Sequence, residues 1–196
     1  MKVDVKTLDG EEMTGRAATQ PVGSALRIAP GFVATTRDED AGVETTIEAV
    51  YSAERGRYVI TTILNRAISD EFSDYRLRHT APQAILQTAI PRCITVKLED
   101  GPVERWLTVS DLTSSADGRI IPPWMAAAVV KRGVKDERWD VVEILYGTAA
   151  LADGSPVKLI SLELDVPERT AQDWIRSARA AGRMEGLESN VGRPRA

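Results

Sequence analysis

Residues 157–183 read VKLISLELDVPERTAQDWIRSARAAGR, and this stretch decides how the C-terminal part of the chain folds. Its apolar residues predict a first helix over 157–164, a turn at 165–167 and a second helix over 168–181. Ile160 and Leu164 give the first helix a buried stripe. The second helix repeats apolar residues at i, i+3, i+4 and i+7, namely Ala171, Trp174, Ile175 and Ala178. Two short helices with facing stripes and a tight turn form a helix-turn-helix.

The turn has residues that suit a steep helix crossing. Ser161 is small enough for the position where the helices approach most closely, and Val166 fills the turn. Asp165 stands where such turns usually have glycine, and Asp enters the left-handed region more readily than most residues. Pro167 followed by Glu168 is a favourable helix start. The sequence therefore specifies both helices and the turn between them.

The opposite face of the second helix carries Arg169, Gln172, Asp173 and Arg176, again at i, i+3, i+4 and i+7. Arg hydrogen-bonds guanine, Gln hydrogen-bonds adenine and a carboxylate accepts from cytosine, so the set suits major-groove readout. Residues near the helix N-termini are placed to contact phosphate. The predicted DNA-binding residues are Ser155, Lys158, Glu168, Arg169, Thr170, Gln172, Asp173, Arg176, Arg179 and Arg183. The alternative interpretation is an ordinary three-helix packing unit whose charged face meets only water.

The same segment resembles the helix-turn-helix region of small actinobacterial and actinophage DNA-binding proteins, which end in V-x-x-x-T-x-x-x-W-I-x-x-A-R-x-x-G. The matching positions here are Val166, Thr170, Trp174, Ile175, Ala178, Arg179 and Gly182. The resemblance covers about residues 136–187, and residues 44–93 are similar to a lesser degree to a β-hairpin-plus-helix module of some of those proteins. It implies a sequence-specific regulator, although the same motif also serves transposases, terminase subunits and architectural proteins.

Charge is distributed unevenly along the 196 residues. The net charge is −4, which is unfavourable for a DNA-binding protein, because phosphate neutralisation dominates affinity for a duplex. Residues 1–135 carry 17 Lys/Arg against 18 Asp/Glu, residues 136–165 carry 2 against 7, and residues 166–196 carry 6 against 4. The only net-positive part thus contains the predicted reading helix. We expect weak non-specific binding and a dependence on specific contacts or dimerisation.

The rest of the chain predicts an α+β protein with strands first and helices later. Alternating apolar residues predict strands over the first 66 residues, with a hairpin around Gly56 and loops over 14–24 and 36–42. A capping box at Thr80 predicts a helix that Pro91 ends after Ile90, and a second hairpin follows over 94–109 around Asp100 and Gly101. Helices are predicted over 123–132 and 136–152.

The predicted organisation is a β-rich N-terminal domain with one helix (1–109) followed by an all-α helix-turn-helix domain (122–183). The linker between them (110–121) is rich in Ser, Asp, Thr and Gly, and a mobile basic tail (184–196) follows.

Enzymatic constellations are missing from the sequence. It has no phosphate-cradling glycine loop, no GxSxG motif and no paired metal ligands, and its one cysteine, Cys93, lies in an apolar run. One cysteine and one histidine give no zinc-ligand set, so we expect no catalysis, metal or cofactor. No apolar span or leader is evident, so we expect a cytoplasmic protein without a membrane partner.

Three functional hypotheses remain. The first is a transcriptional regulator that binds double-stranded DNA, with a homodimer or a host protein as further partner through the N-terminal domain. The second is an acidic protein-protein interaction module for a host protein or polymerase. The third is an accessory subunit of a recombination or packaging complex.

Overall fold

A computed structural model of the 196-residue chain describes residues 2–70, 72, 74–98, 105–115, 118–132, 135–184 and 187. The strands are β1 (Val3–Lys6), β2 (Gln20–Val22), β3 (Leu26–Ile28), β4 (Gly31–Asp38), β5 (Val43–Ser52), β6 (Arg57–Ala67), β7 (Ile94–Leu98) and β8 (Arg105–Thr108). The α-helices are α1 (Asp74–Arg78), α2 (Pro82–Cys93), α3 (Val109–Ser115), α4 (Pro123–Arg132), α5 (Lys135–Leu151), α6 (Pro156–Leu164) and α7 (Glu168–Ala180). A short 3-10 helix spans Gly15–Ala17.

The first antiparallel sheet has the strand order β1-β4-β5-β6. Alternate residues of its strands are buried, such as Val3 and Val5 of β1, because successive side chains point to opposite faces of a sheet. Strands β5 and β6 form the predicted hairpin around Gly56, with a bulge in the register at Glu48 and Ala49. This sheet therefore presents one apolar face to the core.

The second antiparallel sheet has the order β2-β3-β7-β8. Strands β7 and β8 pair as the predicted second hairpin, and the turn around Asp100 and Gly101 lies outside the described residues. The centre of the sheet is a long-range pairing, in which Leu26 faces Val96 and Ile28 faces Ile94. The predicted loop over 14–24 is wrong in part, since the 3-10 helix and β2 lie within it.

Helix α2 packs its apolar face into the core through Ile85, Leu86, Ala89, Ile90 and Cys93. The predicted capping box is not formed: the helix starts after Ala81, without a side-chain cap. Pro82 is the first helical residue, because its fixed φ suits that position. The helix also continues past Pro91, where a proline in the last turn removes a single hydrogen bond.

Helix α5 lies at the centre of the helical part and also packs directly on β3. Gly147 makes this approach possible, because a Cβ built there would lie 2.3 Å from Leu26 Cδ1. Nearby, the fully buried Glu143 carboxylate accepts hydrogen bonds from the backbone N–H groups of Ser24 and Ala25 and from the Ser24 hydroxyl (2.8 Å). Strands and helices consequently share one hydrophobic core.

The predicted fold class, a β-rich domain with one helix followed by an all-α domain, is wrong. The described strands form two sheets of four, and α1, α2 and α3 all precede the predicted helical domain. The C-terminal helices are also not a separate all-α layer, because α5 packs on β3. The residues expected to form a linker include most of α3 and the buried Ile120 and Ile121. Most of the predicted tail, 185–186 and 188–196, lies outside the described residues.

Candidate nucleic-acid interface

The turn between α6 and α7 is fixed by local hydrogen bonds. Helix α6 begins after Ser155, whose hydroxyl accepts from the backbone N–H of Lys158 at 3.5 Å. It ends at Asp165, which adopts left-handed backbone angles of φ 51° and ψ 48°. The backbone N–H of Val166 donates to the Ser161 carbonyl oxygen at 3.2 Å, and the Ser161 hydroxyl donates to the Val166 carbonyl oxygen at 2.6 Å. The predicted helix, turn and helix are confirmed.

The apolar stripes of α6 and α7 face each other as the spacing predicted. Ile160 and Leu164 of α6 are buried, and so are Ala171, Ile175 and Ala178 of α7. Burial of one stripe on each helix leaves the opposite face of α7 in water.

Two tryptophans attach α7 to α5. The indole N–H of Trp139 on α5 donates to the Ser177 hydroxyl at 3.4 Å. The guanidinium of Arg138, also on α5, lies 4.7 Å from the ring centroid of Trp174 on α7, within range of a cation–π interaction. These contacts fix the rotation of α7 about its own axis and so determine which residues face outward.

The outward face of α7 carries the predicted reading residues. Arg169, Gln172, Asp173 and Arg176 are all exposed. Arg176 and Asp173 form an ion pair at 2.9 Å, with exposed side-chain fractions of 77% and 57%. Within the part of the chain that the structure describes, Arg169 and Gln172 have no hydrogen-bond or ion-pair partner. Their donors and acceptors are available to base edges.

The predicted phosphate-contacting residues lie at the N-terminal ends of the two helices. Lys158 is exposed, whereas Ser155 is half-buried and occupied as the cap of α6. Thr170 is half-buried in the first turn of α7. Glu168 is exposed beside it and places a negative charge where a phosphate would approach. Lys158 and the backbone amides are therefore the most favourable phosphate contacts of this group.

Arg179 and Arg183 make contacts within the protein. The Arg179 guanidinium donates to the hydroxyl of Tyr146 on α5 and lies 5.1 Å from the centroid of the same ring. Arg183 forms an ion pair with Asp140 at 3.2 Å and donates to the Ser24 hydroxyl at 3.3 Å. In this structure both side chains join α7 and the turn after it to the rest of the protein.

Glu163 links α6 to residues 119–121, a role that its position in the sequence did not lead us to predict. Its buried Oε2 accepts from the backbone N–H groups of Ile120 (3.0 Å) and Ile121 (3.2 Å), and Arg119 donates to its backbone carbonyl oxygen at 3.1 Å. Burial raises the pKa of Glu163, and the two amide donors and the Arg119 charge act against this rise. The spacing could have revealed it, since Glu163 lies three residues after Ile160, on the buried face.

Helix α7 carries only a small positive charge. Its three arginines, at 169, 176 and 179, exceed its two carboxylates, at 168 and 173, by one. A duplex on this face would therefore be held by directed hydrogen bonds to base edges more than by overall positive charge.

The chain matches no protein-family model, no curated protein and no solved structure. Among the described residues, no helix is long and apolar enough to cross a membrane.

Proposed function

We propose that this protein binds double-stranded DNA sequence-specifically and is a transcriptional regulator of actinobacterial or phage type. In this proposal α7 enters the major groove and presents its outward face to the base edges. Lys158 and the amides at the start of α7 contact phosphate and set the register on the duplex.

The exposure of Arg169, Gln172, Asp173 and Arg176 on one face of α7 carries the proposal. Each of these side chains is a type that hydrogen-bonds a base edge in the major groove. The Ser161 hydroxyl bond and the Trp139 and Trp174 contacts hold this face in one orientation, which readout requires. The resemblance of residues 136–187 to actinobacterial and phage DNA-binding proteins further supports a regulator.

Selection from a random duplex library, followed by affinity measurements over a salt series, tests this proposal. We expect an enriched motif, and its symmetry distinguishes a monomer from a homodimer. Affinity for that motif should fall as salt rises, since Lys158 and the helix N-termini contact phosphate.

Two substitutions separate base readout from phosphate contact. Arg169→Ala should lower affinity for the enriched site by roughly 5- to 150-fold, corresponding to about 1–3 kcal/mol, and relax specificity at one position. Lys158→Ala should weaken binding to all duplexes alike and reduce the salt slope by about 1. Arg55→Ala, an exposed arginine in the turn between β5 and β6, is the matched control. Unchanged binding in both Arg169→Ala and Arg176→Ala would remove α7 from the reading role.

A protein-protein interaction module is the second candidate, favoured by the exposed apolar surface of α6. Leu162 is 72% exposed, and Glu168 and Asp173 are exposed carboxylates of α7. If the library yields no enrichment at low salt, capture of a host protein or polymerase by the full chain, lost in Leu162→Ser, would support this candidate. An accessory subunit of a recombination or packaging complex would use the same α7 surface for DNA within a larger assembly.

A further inference from the structure

A groove of about 780 Å³ opens between α4 and the first half of α5 and extends to the start of β3. Its volume lies in the range of sites that bind small molecules. Helix α4 contributes Trp124 and Val129 to its lining, α5 contributes Glu137, Val141 and Ile144, and Arg183 lies at the same groove.

The groove has an apolar floor and an aromatic rim. Val129, Val141 and Ile144 are buried at its base. The Trp124 ring, 54% exposed, stands at the same groove although an indole of this size is normally more fully covered. A ligand with an apolar body would lie against this floor and cover the exposed Trp124 ring.

One carboxylate at the groove favours a cationic ligand. The lining has two basic residues, Lys97 and Arg183, and two acidic ones, and Arg183 pairs with Asp140 at 3.2 Å. Glu137 is an exposed carboxylate without a cationic partner among the residues that the structure describes. A cation would pair with Glu137 and could also lie against the Trp124 ring, since indole attracts positive charge over its face.

We infer that this groove binds a small organic cation with an apolar body and that its occupancy regulates α7. The regulatory part rests on the proposed DNA-binding function, whereas ligand binding stands without it. The link is Arg183, because the same side chain lines the groove, pairs with Asp140 and lies three residues after the end of α7. A ligand that changes the Asp140–Arg183 contact alters what holds the C-terminal end of α7.

Calorimetric titration of the full chain with two probes of equal shape and opposite charge tests the ligand assignment. Tetraphenylphosphonium should bind one to one, and tetraphenylborate should bind at least tenfold more weakly. Glu137→Gln should weaken tetraphenylphosphonium binding roughly three- to fivefold, as expected for an exposed charge pair, and leave tetraphenylborate unchanged or tighter. Glu54→Gln, an exposed carboxylate between β5 and β6, is the control and should bind as the parent protein does.

Substitution of Trp124 tests whether tetraphenylphosphonium binds in this groove. Trp124→Ala should weaken tetraphenylphosphonium binding about tenfold, and Trp124→Phe should retain most of it, because the aromatic face remains. Absence of binding, equal affinity for the two probes, or no change in Trp124→Ala with its circular dichroism intact would overturn the ligand assignment.

The regulatory step is measured separately, on the enriched duplex. Saturating tetraphenylphosphonium should change duplex affinity at least fivefold, a typical coupling between two sites. Arg183→Gln, which removes the Asp140–Arg183 contact, should lose this change. If the probe binds without altering duplex affinity, the regulatory part is refuted; if no duplex is enriched while the probe binds, the proposed function fails and the ligand site stands.

Discussion

Replacing Glu163 by leucine should strongly destabilise the fold. The carboxylate Oε2 accepts two backbone hydrogen bonds, from Ile120 at 3.0 Å and from Ile121 at 3.2 Å, and both residues are buried. Leucine has a similar size and no acceptor, so both amides would lose their partner without access to water. An unsatisfied buried donor costs about 1–3 kcal/mol, so the two together should lower the free energy of unfolding by roughly 2–6 kcal/mol.

Glu163→Gln is the matched control for this loss. Both hydrogen bonds end on one oxygen, and a glutamine carbonyl can occupy that position. We expect its free energy of unfolding to lie within about 1 kcal/mol of the parent value at pH 7. Urea unfolding followed by circular dichroism measures both variants. A leucine variant as stable as the parent would refute the reasoning.

The pH dependence gives an independent check on the same carboxyl group. Its pKa in the folded protein is raised above the ordinary value of 4.5, mainly by burial. The folded state therefore holds the proton to a higher pH than the unfolded state does, and the free energy of unfolding falls as pH rises through this window. The stability of the parent relative to Glu163→Gln should thus decrease as pH rises from 4.5 toward the raised pKa. If the stability of the parent relative to Glu163→Gln increased with pH instead, the pKa of Glu163 could not be raised in the folded protein.

Two further predictions concern backbone positions and are measured by urea unfolding. Gly147→Ala should cost about 1–3 kcal/mol, because its Cβ would lie 2.3 Å from Leu26 Cδ1. The same change in a Leu26→Ala background should cost clearly less, since only the Leu187 side chain, at 3.2 Å, then lies close to the new Cβ. Asp165→Gly should be more stable than Asp165→Ala by about 1 kcal/mol, since residue 165 has a φ of 51°; equal stability of the two variants would argue against this backbone conformation.

The helix-turn-helix could be predicted because its signals are local. Pro167 before Glu168, an Asp that tolerates left-handed angles at 165, and apolar residues at helical spacing lie within one short segment. The exposed face of α7 follows directly from the same spacing, since burial of Ala171 and Ile175 turns Arg169 and Arg176 outward.

The division into two sheets depends on long-range pairing and could not be read from local pattern. Strand β3 has only three residues, and its pairing with β7 joins Leu26 to Val96, far away in the chain. Helix α1 buries no residue, so it leaves no apolar periodicity in the sequence. Helix α3 is rich in Ser and Thr, which favour loops, but buries Val109 and Leu112 and is capped by the Thr108 hydroxyl, which accepts from the Asp111 backbone N–H at 3.0 Å.

The contacts of Arg179 and Arg183 could not be predicted either, because they also join parts of the chain that are far apart in sequence. A helical pattern shows that these side chains leave the buried stripe but does not show what lies beside them. Their partners are Tyr146 on α5 and Ser24 before β3, which only the folded chain brings near.

The contact between α5 and β3 determines how the protein can be divided. Glu143 depends on the amides of Ser24 and Ala25, and Leu26 packs against the bare backbone of Gly147. A fragment beginning at residue 122 would leave the Glu143 carboxylate without its hydrogen-bond donors. It would also expose to water the surface of α5 around Gly147 that Leu26 covers. We therefore do not expect a fragment made of α4, α5, α6 and α7 alone to fold as it does in the full chain. Any chimera must also carry β2 and β3, and with them the β7 strand that pairs with β3.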